Sequence, residues 1–402
     1  MRVKTMPVSR LFTFIAIALS LLAGIHYYLW ARLVRDPRWA APWGMIGGTL
    51  LSLLALSIPL SLIVGRGRGD LRRGLAFGGY VWLGVMFLFL TVVFSTDLLR
   101  LLAALGRRIA AVQPFDLQRR TLLARLTAGA TGLLVSGLAA VALRSVRRPV
   151  DVRKVSVRLD RLPRGQDGFR IVQLTDLHVG PTIGRAFIEE IVARTNALTP
   201  DLIAITGDLV DGTVADLAPA IEPLTKLRAP HGVYFVTGNH EYFSGAEAWL
   251  SELNRIGIRV LRNERVAIGN GTDAFDLAGV DDRSATHYGG LPPGEALARA
   301  LAGRDQSREV VLLAHQPRTL LDADQFDIGL QLSGHTHGGQ MWPFNFVVRL
   351  QQPFVAGLHR RGNSQIYVSC GTGYWGPPMR LGAPAEITEI RLLSGRESAA
   401  PA

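Results

Sequence analysis

Eight side chains of the kinds that bind metal ions or move protons follow short apolar runs in this sequence. RIVQLTDLH leads to Asp176 and His178, DLIAITGD to Asp208, and GVYFVTGNHE to Asn239 and His240. VVLLAHQP brings His315, and IGLQLSGHTH brings His335 and His337. Carboxylate, imidazole and amide oxygen without thiolate suit Mn, Fe or Zn, with Co also compatible. Each apolar run reads as a β-strand, so five strands deliver a ligand-type residue at the carboxyl end, where open α/β sheets place their sites. In a strand-like continuation residues two apart face the same way. The spacing therefore predicts that Asp176 and His178 reach one ion together, and that His335 and His337 project into one cleft. Glycines precede Asp208, Asn239 and His335 and permit tight turns and close backbone approach. One DxH or HxH is commonplace; the whole series, each member behind an apolar strand, is not.

The elements that must position these residues are short β-rich runs alternating with helical ones, the pattern of an α/β domain. Strands are predicted at 170–174, 202–206, 233–237, 275–279, 310–314, 328–333, 365–369 and 386–392, and helices at 186–198, 246–256 and 294–302. The domain is placed at 161–395, behind a basic juxtamembrane linker and first strand at 149–160.

Ahead of it the chemistry changes. Residues 1–150 hold 19 Lys+Arg against 4 Asp+Glu, and residues 151–402 hold 25 against 28, so the net charge of +12 belongs to the N-terminal part. There the arginines lie between four apolar runs at about 11–34, 40–64, 75–95 and 122–143, each near the ~20 residues a helix needs to cross a bilayer. Residues 1–148 are accordingly expected to form a transmembrane helical region. Tyr27, Tyr28, Trp30, Trp39, Trp43 and Trp82 lie near ends of these runs, where amphipathic rings settle at headgroup level. His26 is expected there too. Arginines that anchor helix ends argue against nucleic acid as a partner, which would call for a basic folded surface, and the partner expected is the lipid bilayer. The first three runs hold no acidic residue, which argues against an ion path. Counted as inside-facing, ten arginine or lysine positions support one topology and nine the other, so the positive-inside rule does not decide. Gln118–Leu123 (QRRTLL) before a mildly apolar run resembles a twin-arginine export signal, and favours a cell-membrane protein with its catalytic domain on the outer face.

The order DxH, GD, GNHE, H, GHxH resembles the calcineurin-like metallophosphoesterase superfamily. TDLHVG, GNHEYF, SGHTHGGQ and the closing GTGYWGPPMRLGAPAEITEI are similar to its bacterial membrane-associated branch, over residues 155–393. The resemblance implies a four-layer αββα sandwich and two adjacent divalent metal ions. The first would be held by Asp176, His178, Asp208 and His337, the second by Asp208, Asn239, His315 and His335, with Asp208 bridging. His240 would be the catalytic histidine beside them, with Glu241 the acidic residue that follows it. The implied reaction is hydrolysis of a phosphomonoester, phosphodiester or pyrophosphate by hydroxide that the metals activate. Relatives linked with hydrolysis of UDP-diacylglucosamine in lipid A synthesis suggest a lipid-linked substrate. The competing reading is a membrane sensor or scaffold that binds phosphate without turnover. Intact P-loop and GxSxG motifs are absent, which weakens NTPase and serine-hydrolase readings.

The remaining chemistry-bearing residues take plainer readings. Trp342, Phe344, Phe346 and Trp375 are expected in the core, although an apolar lip admitting a lipid is the alternative. His231, His287 and His359 are expected at the surface. Asp281 and Asp282 are explained by a turn as well as by a cleft. The single cysteine, Cys370, reads as a buried thiol. Glu241 is read equally as a partner of His240 and as a surface carboxylate.

Overall fold

In the computed structural model, which describes residues 8–64, 70–109 and 116–395, the four apolar runs fold as helices. They are α1 (Val8–Trp30), α2 (Trp43–Val64), α3 (Asp70–Ile109) and α4 (Leu117–Ser145). Four stretches are long and apolar enough to cross a membrane: Phe12–Arg35, made of α1 and the π-helical segment Ala31–Arg35 that continues it, Trp43–Ser61 in α2, Arg72–Gly106 in α3 and Leu117–Ser145 in α4. The 40 residues of α3 extend about 60 Å, twice the hydrocarbon thickness. This helix runs past the expected 75–95 stretch and takes in Asp97.

The packing of these helices suits candidate membrane spans. Leu29, Ile58, Trp82, Met86 and Val93 are buried against one another, while Phe12, Leu21, Leu53, Leu56 and Leu133 stay exposed. In water an apolar surface of that kind would drive association. Polar groups inside find partners within the bundle, as hydrocarbon requires. Ser57 and Ser61 hydroxyls donate to the carbonyls of Leu54 and Ile58, both at 2.7 Å. His26, expected near the interface, is instead buried. Its Nδ1–H donates to the Leu22 carbonyl at 2.8 Å, and its Nε2 accepts the Trp82 indole N–H at 3.1 Å. A neutral imidazole with both nitrogens paired costs little to bury.

From Val146 onward a second compact unit begins. Its strands are β1 (Asp151–Leu159), β2 (Arg170–Leu174), β3 (Leu202–Ile205), β4 (Val233–Phe235), β5 (Arg259–Val260) and β6 (Glu264–Ile268). They continue with β7 (Phe275–Gly279), β8 (Val310–Leu313), β9 (Leu330–Ser333), β10 (Gly357–Arg361), β11 (Ser364–Val368) and β12 (Glu386–Ser394). One six-stranded sheet runs β1-β12-β2-β3-β4-β5, the other β10-β11-β9-β8-β7-β6. From β2 to β5 the first sheet is parallel, and β7, β8, β9 and β11 are parallel in the second. The helices are α5 (Arg185–Ala197), α6 (Val214–Ile221), α7 (Asn239–Ser244), α8 (Ala246–Arg255), α9 (Pro293–Leu301), α10 (Thr319–Ala323) and α11 (Asn345–Val348).

Alternation along the central strands produces the layers. In β3, Leu202 and Ala204 join β8's Val311 and Leu313 in the core between the sheets. The intervening Ile203 and Ile205 pack outward with Ile188 and Val192 of α5 and Trp249 of α8. In β8, Val310 and Leu312 pack outward with Leu297 and Leu301 of α9. Strands buried on both faces read as unbroken apolar runs, so these strands were legible. The result is two mixed sheets face to face, flanked by helices, as the resemblance implied. The strands not foreseen, β5, β6 and β10, are short or polar; GLHRR of β10 is half-buried at its first residue and exposed at the other four.

Candidate metal centre

The parallel strands of both sheets end toward one place, and the turns that follow them carry the eight residues. Asp176 lies two residues past β2, Asp208 three past β3, His315 two past β8, and His335 two past β9. Asn239 and His240 open α7 behind Gly238, its N-cap. These turns are strained. Asp176, His178, Asp208, His335 and His337 all have positive φ, between 48° and 71°, half of the ten such non-glycine residues described. The left-handed region costs such residues energy, and it is held only where surrounding structure enforces it. The expectation that a continuing strand aims residues two apart is therefore corrected: the chain has left the strand, and left-handed turns direct these side chains.

Close approach of backbone and carboxylate explains two of the glycines. A Cβ on Gly238 would sit 2.1 Å from Asp208 Oδ1, and one on Gly334 would sit 2.2 Å from Asp176 Oδ2. Through these gaps the His240 N–H donates to Asp208 Oδ1 at 2.9 Å, and the His335 N–H donates to Asp176 at 3.0 Å.

The side chains converge in two groups. Asp176, His178 and His337 offer ligand atoms to one point, and Asp208, His315 and His335 to another. Asp208 also stands with His178 and His240, its Oδ2 being 3.9 Å from His178 Nε2 and 4.0 Å from that of His240. His335 and His337 thus fall in different groups. Asn239 Oδ1 is buried and finds no hydrogen-bond partner among the described residues.

Divalent cations fit this arrangement. His315 Nδ1–H donates to the Thr206 carbonyl at 2.7 Å, so in the neutral ring Nε2 keeps a lone pair. That lone pair lies 3.0 Å from Asp208 Oδ2 without making a hydrogen bond. Two electron-rich atoms so close, both buried, need a proton or a cation beside them. Electrostatics says the same. Burial works against both charges, yet attraction to Asp208 holds His315 well above the ordinary histidine range, and attraction to His315 holds Asp208 well below the carboxylate range. Burial and then the His315 charge push His335 down to about 3, and burial and then His178 hold His337 low, so both present lone pairs.

Around these groups lies a supporting layer, of which sequence reasoning left out Asp211 and Arg380. Asp211 faces His178 Nδ1 at 3.1 Å and His240 Nδ1 at 2.6 Å, orienting both rings with one carboxylate. Burial opposes its charge, but the two histidines outweigh burial and hold it below the usual range. Its signal was the spacing GDLVD, three residues beyond Asp208. Burial lowers the His240 pKa, but the hydrogen bond to Asp211 and the Asp208 charge more than compensate and raise it to about 9. Arg380, buried and pushed down to about 10 by burial, directs Nη2 at His337 Nδ1, 3.3 Å away, and at three carbonyls. Glu241 is not a surface carboxylate; its charge is among those that raise the His240 pKa, in keeping with the reading of it as a partner of His240. Wholly buried, it accepts N–H bonds from Asp208, Leu209 and Gly238 at 3.0, 2.8 and 2.6 Å, tying two turns together.

The rim corrects another expectation. Trp342, Phe344, Phe346 and Trp375 are 58%, 43%, 57% and 53% exposed rather than in the core, and Phe243 is 64% exposed. Two of them touch the site: the His240 ring lies 5.4 Å from that of Phe243 and 5.9 Å from that of Trp375. His231, His287 and His359 are exposed as expected, and Cys370 is buried. Asp282 accepts the Ser284 N–H in a turn.

Two face-to-face sheets with histidine- and carboxylate-bearing turns at their strand ends define a metallophosphoesterase-type α/β protein. Residues 169–339 match the family model described as calcineurin-like phosphoesterase. A Bos taurus protein named "Transmembrane protein with metallophosphoesterase domain" is 42% identical over 272 residues, covering 65% of this chain and 61% of that one. An uncharacterized metallophosphoesterase of Aquifex aeolicus is 34% identical over 243 residues, 60% of this chain and 91% of that one. Among solved structures, a phosphopantetheinyl hydrolase from Mycobacterium tuberculosis aligns at 13% identity and TM-score 0.36, over 59% of this chain and all of that one. This chain belongs to the calcineurin-like metallophosphoesterases, a family of generally metal-dependent hydrolases. It spans about three fifths of the length of the vertebrate relatives it matches.

Proposed function

We propose that this chain is a membrane-anchored, metal-dependent hydrolase of phosphate esters that carry an apolar group. The observation behind the reading is two neighbouring lone-pair clusters, Asp176 with His178 and His337 and Asp208 with His315 and His335, linked by a third grouping of Asp208 with His178 and His240, with exposed aromatic rings nearby. Asp176, His178, Asp208 and His337 would hold one divalent ion, and Asp208, Asn239, His315 and His335 the other, with Mn, Fe or Zn suited to this donor set. Bound there, such ions would supply Lewis acidity and an acidified water.

The chain's own residues do the rest. Asp208 offers two carboxylate oxygens to two cations, and its Oδ1 is fixed by the His240 N–H. Asn239 contributes a neutral oxygen, which leaves net positive charge for an anionic phosphate. His240, held as a cation by Asp211, donates a proton to the leaving oxygen, work that needs a fixed ring and a suitable pKa. Phe243 and Trp375 flank that ring and would hold an apolar leaving group against it. A lipid-linked phosphoester, UDP-diacylglucosamine among the candidates, meets both requirements. We place the catalytic unit on the outer face of the cell membrane; a reporter fused after Ala402 that is active only in the cytosol would reverse that placement.

The test is elemental analysis of the full-length protein in detergent, followed by hydrolysis of p-nitrophenyl phosphate, phosphatidic acid and UDP-diacylglucosamine. The expected result is bound divalent metal and turnover fastest on a lipid. Replacing Trp342 and Phe344 with Ser should slow lipid hydrolysis and spare p-nitrophenyl phosphate. Equal rates on all three substrates would remove the lipid part; metal-free, inert protein would remove the hydrolase.

A further inference from the structure

The helical unit contains a built basic cleft that hydrolysis does not use. It has a volume of about 830 Å³ and lies where the end of α1, the end of α3 and the start of α4 come together. Arg32, Arg35, Arg38, Arg100 and Arg120 line it, and among the described residues its acidic lining is Asp36 and Asp97. Both carboxylates are committed. Asp97 accepts from Tyr28 and Arg32, each at 2.7 Å, and from Arg100 at 3.4 Å. Asp36 accepts from Arg32 at 2.7 Å and Arg35 at 3.0 Å. Arg38 and Arg120 have no acidic partner among the described residues, so the lining carries a surplus of positive charge.

Several contacts hold the cleft in shape. Arg100 Nη2 donates to Thr127 Oγ1 at 2.8 Å, joining α3 to α4. Arg125 donates to the carbonyls of Pro37 and Arg38, both at 2.9 Å, joining α4 to the chain after α1. Leu101 and Leu123 give the same cavity apolar wall. The arginine ends also stand at the level of aromatic rings, with Arg35 over Trp30 and Arg125 over Trp39; such rings mark the headgroup zone of a bilayer.

We infer that this cleft binds the phosphate headgroup of an anionic phospholipid. Unpaired guanidinium groups meet the phosphate, the leucines meet the start of the acyl chains, and basic pockets between membrane helices take lipid headgroups in this way. Inorganic phosphate shares the first requirement and lacks the second.

The experiment uses full-length protein reconstituted in phosphatidylcholine nanodiscs with and without phosphatidylglycerol. Lipid retained after exchange into neutral detergent is counted by native mass spectrometry. Wild type should retain phosphatidylglycerol over phosphatidylcholine. The double substitution Arg38→Gln with Arg120→Gln should weaken that retention roughly 30-fold, at about one surface-charge increment per arginine, while Arg147→Gln should not. Asp36→Asn, which frees positive charge without removing an arginine, should raise it. If the double variant does not yield a monodisperse protein, Asp36→Asn decides alone. Retention unchanged by these substitutions would overturn the site. Full displacement by millimolar inorganic phosphate would overturn the lipid assignment.

Discussion

Asp211→Asn is the sharpest probe of how the centre is supported. The substitution keeps size and removes one negative charge between His178 Nδ1 at 3.1 Å and His240 Nδ1 at 2.6 Å. Two separable effects follow. A charge-assisted hydrogen bond is worth about 1.5–3 kcal/mol, and one pH unit corresponds to 1.36 kcal/mol. If protonated His240 is the proton donor, its deprotonation limits activity at high pH. The Asn variant stabilises the imidazolium less, so the basic limb of the pH–rate profile should move down by about one to two pH units. His178 loses its orienting partner as well, and removal of such partners costs metal affinity or activity about 10–100-fold. The assays are a kcat profile from pH 6 to about 10 at saturating metal, chosen to bracket His240, and a metal titration read by activity and elemental content. A basic limb that stays where it is in wild type, with turnover otherwise intact, would refute the assignment of His240 as donor and Asp211 as its support.

Other outcomes follow from the same geometry. Asp208→Asn and His337→Ala should abolish metal-dependent hydrolysis, measured with p-nitrophenyl phosphate and elemental analysis. His240→Ala should cut turnover by about 10²–10⁴, the usual worth of a positioned acid, while metal content survives; loss of the metals would show it to be a ligand. Gly238→Ala places a methyl 2.1 Å from Asp208 Oδ1 and should displace that carboxylate, with metal content falling although the helices of the domain persist by circular dichroism. Burial and then the Glu386 charge push the Cys370 thiol up to about 11, so at pH 8 iodoacetamide should label the protein only after unfolding.

Much of this was readable along the chain. Strands buried on both faces appear as apolar runs, so 170–174 and 275–279 were placed to the residue, and the residues after such strands announced the site. The four long apolar helices were equally plain, because length and apolarity are local properties. Beyond that, the chain alone was ambiguous wherever meaning depends on what lies opposite. Trp342 and Trp375 look like core residues by type, yet each stays more than half exposed, and they form the rim. His26 looks interfacial by position, yet Trp82, 56 residues away, completes its hydrogen bonds and lets it be buried. Asp211, three residues beyond Asp208, and Glu241, next to His240, do not declare their partners by position alone. Only folding brings His178 and His240 to one and three backbone N–H groups to the other. The choice of candidate ligands is thus a matter of residue type and spacing, whereas orientation, charge state and exposure are set by contacts between distant segments that only the tertiary structure creates.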